Sequence, residues 1–293
     1  MNKPAFQGTY TAIVTPFSAD GSEVDYSSLR NLIEYQISSG VDGLVVCGST
    51  GEAVTLSDTE YRAVIKGVVE CVAGRVPLVA GVGSSSTQRA VEMARFVDQS
   101  GVQAILLVAP PYNKPPQEGI IAHFAEVKKS VALPIIAYNV PGRTSINIAP
   151  ETIAALAKRG LIVALKEANG SLMQVLDTVA LVGRNIAILS GEDALIHATM
   201  ASGGCGVISV ISNAWPEETV AITANALQGK WEESLQAQLR MLPVVRAMFC
   251  ETNPIPVKTA LALKGIIKSP ALRLPLIAAQ SATISRIESL LKV

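Results

Sequence analysis

The sequence predicts an α/β fold, an eight-stranded parallel barrel with a C-terminal α-helical extension. Three observations carry this. Eight short apolar runs recur along the first 211 residues, separated by segments of helical period. Each run is apolar on both faces, as in a parallel sheet covered by helices. After the eighth run no strand signal returns, and the remaining segments read as helices. The pattern is that of a (β/α)8 TIM barrel over residues 1–227 followed by a helical domain over 228–293.

Taken in order, the strands are expected at 9–15 (TYTAIVT), 43–47 (GLVVC), 77–82 (PLVAGV), 104–109 (AILLVA) and 134–139 (PIIAYN). Three more follow at 162–167 (IVALKE), 186–190 (IAILS) and 206–211 (GVISVI). Between them, Leu29, Leu32, Ile33 and Ile37 mark one helix face, and Ala90, Met93, Ala94 and Val97 a second. Leu172, Val175, Leu176 and Val179 mark a third. Asp25, Ser57 and Ser171 stand where helix N-caps are needed. A doubly wound sheet would call for G-x-G-x-x-G after the first strand, but PFSADGSE follows it, a turn rather than a phosphate cradle.

Composition narrows the function. Lys+Arg and Asp+Glu both number 24, with no basic face or tail to attract nucleic acid or anionic lipid. The apolar runs are too short to span a bilayer, and MNKPAFQGTY lacks a secretory apolar core. Cys47, Cys71, Cys205 and Cys250 form no C-x-x-C pair, so reduced thiols in the cytoplasm are expected. His123 and His197 have no metal-binding spacing, and no metal site is expected. With 49% hydrophobic and 16% charged residues, part of the surface is expected to meet other subunits.

A barrel of this kind carries its chemistry at the carboxyl ends of its strands. Collected there are Thr15, GSTGE (48–52), PPYNKPPQEG (110–119), YNVPGRT (138–144), KEANG (166–170), SGED (190–193) and ISVIS (208–212). Hydroxyls dominate, beside one lysine that ends an apolar strand. That set suits amine catalysis, in which a lysine attacks a carbonyl and hydroxyls move protons. If strands five and six start in line, Tyr138 and Lys166 share a parity and both point into the barrel mouth. Residue by residue the alternatives stay open: Lys166 as a solvated strand-end lysine, Tyr138 as a core tyrosine, GSTGE as a tight turn. Arg143 also reads as a surface residue, and Tyr112 as loop packing.

Taken jointly, GSTGE, YNVPGRT, LKEANG, GVISV and NPIPVK (253–258) resemble the 4-hydroxy-tetrahydrodipicolinate synthase (dihydrodipicolinate synthase) family, over essentially the whole chain. The resemblance implies that Lys166 forms a Schiff base with pyruvate. It implies that Tyr138 transfers protons, with Ser49 and Tyr112 completing a hydroxyl relay. Thr50, Gly191 and the backbone at Ile208 would hold pyruvate, and Arg143 the carboxylate of L-aspartate 4-semialdehyde. Tyr112 would come from a neighbouring subunit, which implies a homo-oligomer, a tetramer built from tight dimers. No cofactor is implied, because the Schiff base is itself the electron sink.

Two departures from the family pattern stand out. Ser49 replaces a more usual threonine, and Pro111 replaces a second tyrosine. Relatives inhibited by lysine bind it with a tyrosine, a histidine, an asparagine and a glutamate, which match Pro111, Asp58, Ser85 and Arg89 here. Weak or absent lysine feedback is therefore expected. Competing readings are an N-acetylneuraminate lyase or 2-keto-3-deoxy sugar-acid aldolase, for which GSTGE alone would serve, and a non-catalytic keto-acid sensor. A pyridoxal-phosphate enzyme also uses a buried lysine, but no phosphate cradle accompanies this one.

Overall fold

The computed structural model describes residues 6–291. Among them, eight strands close into one parallel barrel in sequence order. They are β1 (Gly8–Ala12), β2 (Gly43–Val46), β3 (Leu78–Val82), β4 (Ala104–Val108), β5 (Ile135–Asn139), β6 (Ala164–Glu167), β7 (Ala187–Ser190) and β8 (Gly206–Ser209). Each lies within or beside a stretch read from the sequence as strand. The first is displaced: pairing stops at Ala12 rather than Thr15. Asn213 explains this, because its side chain takes the Val14 N–H at 3.1 Å and donates to Ala12 O at 2.8 Å.

The alternation of side chains divides the apolar residues into two cores. Tyr10, Val45, Val79, Leu106, Ile136, Leu189 and Ile208 fill the barrel interior. The other parity, with Leu44, Ile105, Leu165 and Val207 among it, packs under the helices. Gly43, the register partner of Tyr10, leaves room for that ring, since a Cβ there would lie 2.2 Å from Tyr10 Cε1.

Helices α1 (Tyr26–Ser38), α2 (Asp58–Val72), α3 (Thr87–Asp98), α4 (Gln117–Lys129), the short α5 (Pro141–Thr144) and α6 (Pro150–Lys158) lie between the first six strands. Helices α7 (Leu172–Val182), α8 (Ile196–Ala201) and α9 (Pro216–Leu227) follow the sixth, seventh and eighth. Asp25 caps α1 by accepting from the Ser27 and Ser28 amides, and Ser57 forms a capping box with Glu60 on α2. Ser171 caps α7 through the Gln174 amide. Each such cap is worth about 1 kcal/mol.

One helix face differs from expectation. On α7 the buried side is Gln174, Val175, Thr178 and Val182, whereas Leu176 is exposed together with Met173 and Leu181. The helix is apolar nearly all round, so periodicity could not choose its inner face. Gln174 chose it, by reaching the Glu167 carboxylate at 2.9 Å.

Beyond Leu227, α10 (Trp231–Met248), α11 (Ile255–Leu263) and α12 (Ser281–Leu291) complete the chain. They are fastened to the barrel by polar contacts as well as packing. Gln238 Nε2 donates to Asp193 O at 3.0 Å, and Lys258 Nζ to Thr15 O at 2.9 Å. Among the described residues no helix is long and apolar enough to cross a membrane.

Candidate active site

Tyr138 and Lys166 are direct partners in the β5–β6 register. The strands begin at Ile135 and Ala164 rather than at 134 and 162, yet the shared parity holds. Both residues are buried, and the Lys166 ammonium lies 4.4 Å from the centre of the Tyr138 ring. A cation over an aromatic face gains about 0.5–2 kcal/mol depending on desolvation. Here the same contact sets the phenol beside the amine.

The strand holding Lys166 is itself held rigidly from outside. Glu167 points the opposite way, and its carboxylate accepts from Asn139 Nδ2 at 2.8 and 3.1 Å and from the Asn169 amide at 3.0 Å. Gln174 completes that set and also donates to Asn147 Oδ1 at 3.2 Å. Burial pushes the Glu167 carboxyl up to about 7, against the pull of these hydrogen bonds.

Two more carboxyls lie close enough to Lys166 to sense its charge, Glu192 and Asp193. Burial raises both, and the Lys166 charge opposes the rise. Asp193 Oδ2 accepts from the Val210 and Ile211 amides at 2.9 and 3.2 Å, just beyond the end of β8. It thereby fixes the chain two residues past Ile208, which is fully buried in the barrel interior. Gly191 joins β7 to β6 through its amide, which donates to Glu167 O at 2.6 Å. A Cβ at Gly191 would sit 2.6 Å from the Ala168 Cβ, so the close approach requires glycine.

Ser49 and Tyr138 line a common cavity of about 260 Å³, which runs outward between the ends of β2, β3 and β4 to Asp58, Arg62 and Arg89. Lys166 is not part of that lining. Thr50, next to Ser49, is buried, and its hydroxyl accepts from Asn253 Nδ2 at 3.0 Å. Arg143 projects from α5 and donates through Nη2 to Asn253 O at 2.8 Å. One asparagine in the C-terminal segment therefore touches both Thr50 and Arg143.

Tyr112 stands apart from the others. It is 89% exposed and occupies the left-handed region, at φ 71°. It sits at the centre of a tight turn closed by the Asn113 amide on Pro111 O at 2.8 Å. A non-glycine residue held this way carries strain of roughly 1–3 kcal/mol, which the surrounding loop must sustain. Within one chain, then, the structure gathers Lys166, Tyr138, Ser49, Thr50, Arg143, Ile208 and Gly191 at one end of the barrel and leaves Tyr112 pointing into solvent.

Sequence reasoning passed over four residues of this region: Asn253, Lys258, Glu167 and Asp193. Lys258 carried a visible signal, a charge inside the apolar helix IPVKTALAL. It is fully buried against Glu52 of the GSTGE turn, with Nζ 2.7 Å from Oε1. Glu167 showed the same kind of signal at the end of β6. Nothing local marks Asn253 or Asp193.

The chain matches the model of the dihydrodipicolinate synthetase family over residues 5–293. It is 47% identical over 287 residues, 98% of either chain, to a 4-hydroxy-tetrahydrodipicolinate synthase of Geotalea daltonii. Among solved structures it resembles the dihydrodipicolinate synthase of Thermotoga maritima at a TM-score of 0.95 and 38% identity, covering 98% of both chains. A monomeric variant of dihydrodipicolinate synthase is similar at a TM-score of 0.95 and 39% identity, with 98% of this chain and 96% of that one covered. With a family model matched over residues 5–293 and 47% identity over nearly the whole chain, the chain belongs to the dihydrodipicolinate synthetase family.

Proposed function

We infer that this protein is a 4-hydroxy-tetrahydrodipicolinate synthase, condensing pyruvate with L-aspartate 4-semialdehyde through a Schiff base on Lys166. The observation that carries the reading is a buried lysine amine 4.4 Å from the Tyr138 ring at the end of an apolar strand. The neutral amine adds to the pyruvate carbonyl, and loss of water leaves an iminium. That cation withdraws electrons from the methyl carbon, which loses a proton to give an enamine. The enamine carbon attacks the aldehyde of the second substrate. The amino group of that substrate then closes the ring on the imine carbon and releases Lys166. Tyr138 and Ser49 serve as proton carriers, and Thr50, Gly191 and the Ile208 backbone hold the keto acid.

Arg143 is the specificity group, because a guanidinium fork suits the second substrate's carboxylate. Arg143→Ala is expected to leave borohydride-trapped pyruvate adduct at wild-type yield while lowering kcat/KM for the aldehyde about 10- to 100-fold. A folded variant that forms no adduct would remove Arg143 from this role. A sugar-acid aldolase would show turnover with a sugar aldehyde in place of the semialdehyde.

The assembly proposed is a tetramer of tight dimers in the cytoplasm, with Tyr112 completing the neighbouring subunit's relay. Its support is a group of exposed apolar side chains: Val54 on the wall of the cavity, Tyr112 on its turn, and Met173, Leu176 and Leu181 on α7. The four free cysteines agree with a reducing compartment. Mixing inactive Tyr112→Phe and inactive Lys166→Ala subunits is expected to restore activity in hybrid dimers, since one site of each pair is then intact. Verified hybrids without activity would refute the exchange.

Feedback by L-lysine is expected to be weak or absent. Arg89 Nη2 bonds the Asp58 carboxylate, and its other terminal nitrogen lies 3.3 Å from Glu92. On the family reading the Arg89 guanidinium, held between Asp58 and Glu92, takes the place of the glutamate that would accept the ligand's ammonium. Asn113 Nδ2 already occupies Ser85 O at 2.8 Å. Initial rates at sub-saturating pyruvate should change less than twofold in millimolar L-lysine; saturable inhibition would contradict this.

A further inference from the structure

We infer that Asn253 is a positioning residue that aims the Thr50 hydroxyl proton at the keto-acid carboxylate. The inference rests on the reading of Thr50 as a pyruvate-binding group and deepens it. A threonine hydroxyl has one proton and two acceptor lone pairs. Asn253 Nδ2 donates into one lone pair at 3.0 Å, and an amide nitrogen offers nothing in return for the hydroxyl proton. Among the described residues the Thr50 hydroxyl has no other hydrogen-bond partner, although Thr50 is only 3% exposed. Its proton is therefore free to bond an anion placed in the mouth.

A second observation marks Asn253 as more than a packing residue. Its Oδ1 is buried without a hydrogen-bond partner among the described residues, which is costly for an amide serving only to fill space. The residue is also divided in what it does. Its side chain reaches Thr50, whereas its main-chain carbonyl accepts from Arg143. Side-chain substitution should thus disturb the pyruvate side and spare the aldehyde side.

Asn253→Asp separates this role from packing, since the shapes are nearly equal. A carboxylate only accepts, so it would take the Thr50 proton and turn the hydroxyl's lone pairs toward pyruvate. We expect half-saturation for pyruvate, read by borohydride trapping and mass spectrometry, to rise about 10- to 100-fold in Asn253→Asp. Asn253→Ala, which leaves the hydroxyl undirected, should raise it about threefold. KM for the aldehyde should stay within twofold in both variants. In a Thr50→Val background neither substitution should add a further effect.

If Asn253→Ala proves worse than Asn253→Asp, the residue is packing and the inference fails. It fails as well if the Asp effect survives in Thr50→Val, which would mean direct charge repulsion. A Thr50→Val variant with unchanged pyruvate saturation would instead overturn the role of Thr50, and this inference with it. An altered Thr50→Val beside an unaltered Asn253→Asp would overturn the inference alone.

Discussion

Lys166→Ala is expected to abolish the borohydride-trapped pyruvate adduct and to lower kcat by more than about 10³-fold. No neighbouring group can take over the attack. The other deeply buried lysine, Lys258, is wholly inaccessible, with its amine bonded to Glu52 and to Thr15 O. The fold should survive, because the Lys166 side chain makes no hydrogen bond or salt bridge among the described residues, its backbone stays in the β5–β6–β7 ladder, and its main side-chain contact is the Tyr138 ring. The variant does lose the Tyr138 ring contact and the charge that favours the buried Glu192 and Asp193 carboxylates, so Tm is expected to fall modestly while the protein stays folded. Intact mass after reduction with pyruvate, followed by peptide mapping, checks the adduct; steady-state rates check kcat, and a thermal melt checks the fold. An adduct mapped to Lys258 or Lys114 in the wild-type protein would end the mechanism proposed here.

The parts of this protein that were legible in its sequence are those governed by short periods. Runs such as AILLVA and PIIAYN announce strands covered on both sides, and a two-residue period is enough to set Tyr138 and Lys166 on one face. The N-caps at Asp25, Ser57 and Ser171 were legible because capping needs only a side chain and an amide two or three residues on. The turn at Tyr112 could be read from its prolines, but the exposure of the phenol could not.

What local pattern could not reveal is pairing over long separations. Thr50 meets Asn253, and Glu52 meets Lys258, across more than 200 residues. Both segments carry the family resemblance, GSTGE on one side and NPIPVK on the other, yet nothing in either names its partner. The inner face of α7 was hidden for another reason: its apolar residues surround the helix, and a single glutamine decides which side faces in.

The pairing of Glu52 with Lys258 yields the second large expected effect. Lys258→Met should destabilise the protein by about 3–5 kcal/mol, or roughly 6–20 °C in Tm. Glu52 is 2% exposed and Lys258 fully buried, so removing the ammonium strands a carboxylate inside the protein. The amine also donates to Thr15 O and lies 4.2 Å from the Phe17 ring, and Arg273 lies 4.4 Å from that ring. One methionine forfeits all these contacts of the amine while keeping most of the packing volume. Adding Glu52→Gln to Lys258→Met should recover much of the loss, because the stranded charge is then gone while an oxygen remains for the Arg273 amide.

The pH dependence supplies a second readout. Burial pulls the Lys258 ammonium from 10.5 down to about 8, against the opposing charge and hydrogen bond of Glu52. Between those values the unfolded chain holds a proton that the folded chain has shed. This group alone therefore makes folding more favourable as pH rises from about 8 to 10.5, and Lys258→Met should flatten that part of the profile. Because Glu52 belongs to the turn that carries Ser49 and Thr50, the variant should also weaken pyruvate binding. Denaturant melts that place Lys258→Met within 1 kcal/mol (~0.7 of a tenfold change) of wild type would show that the pair contributes little. The tie between the C-terminal helix and the strand-two turn would then have to be carried by packing alone.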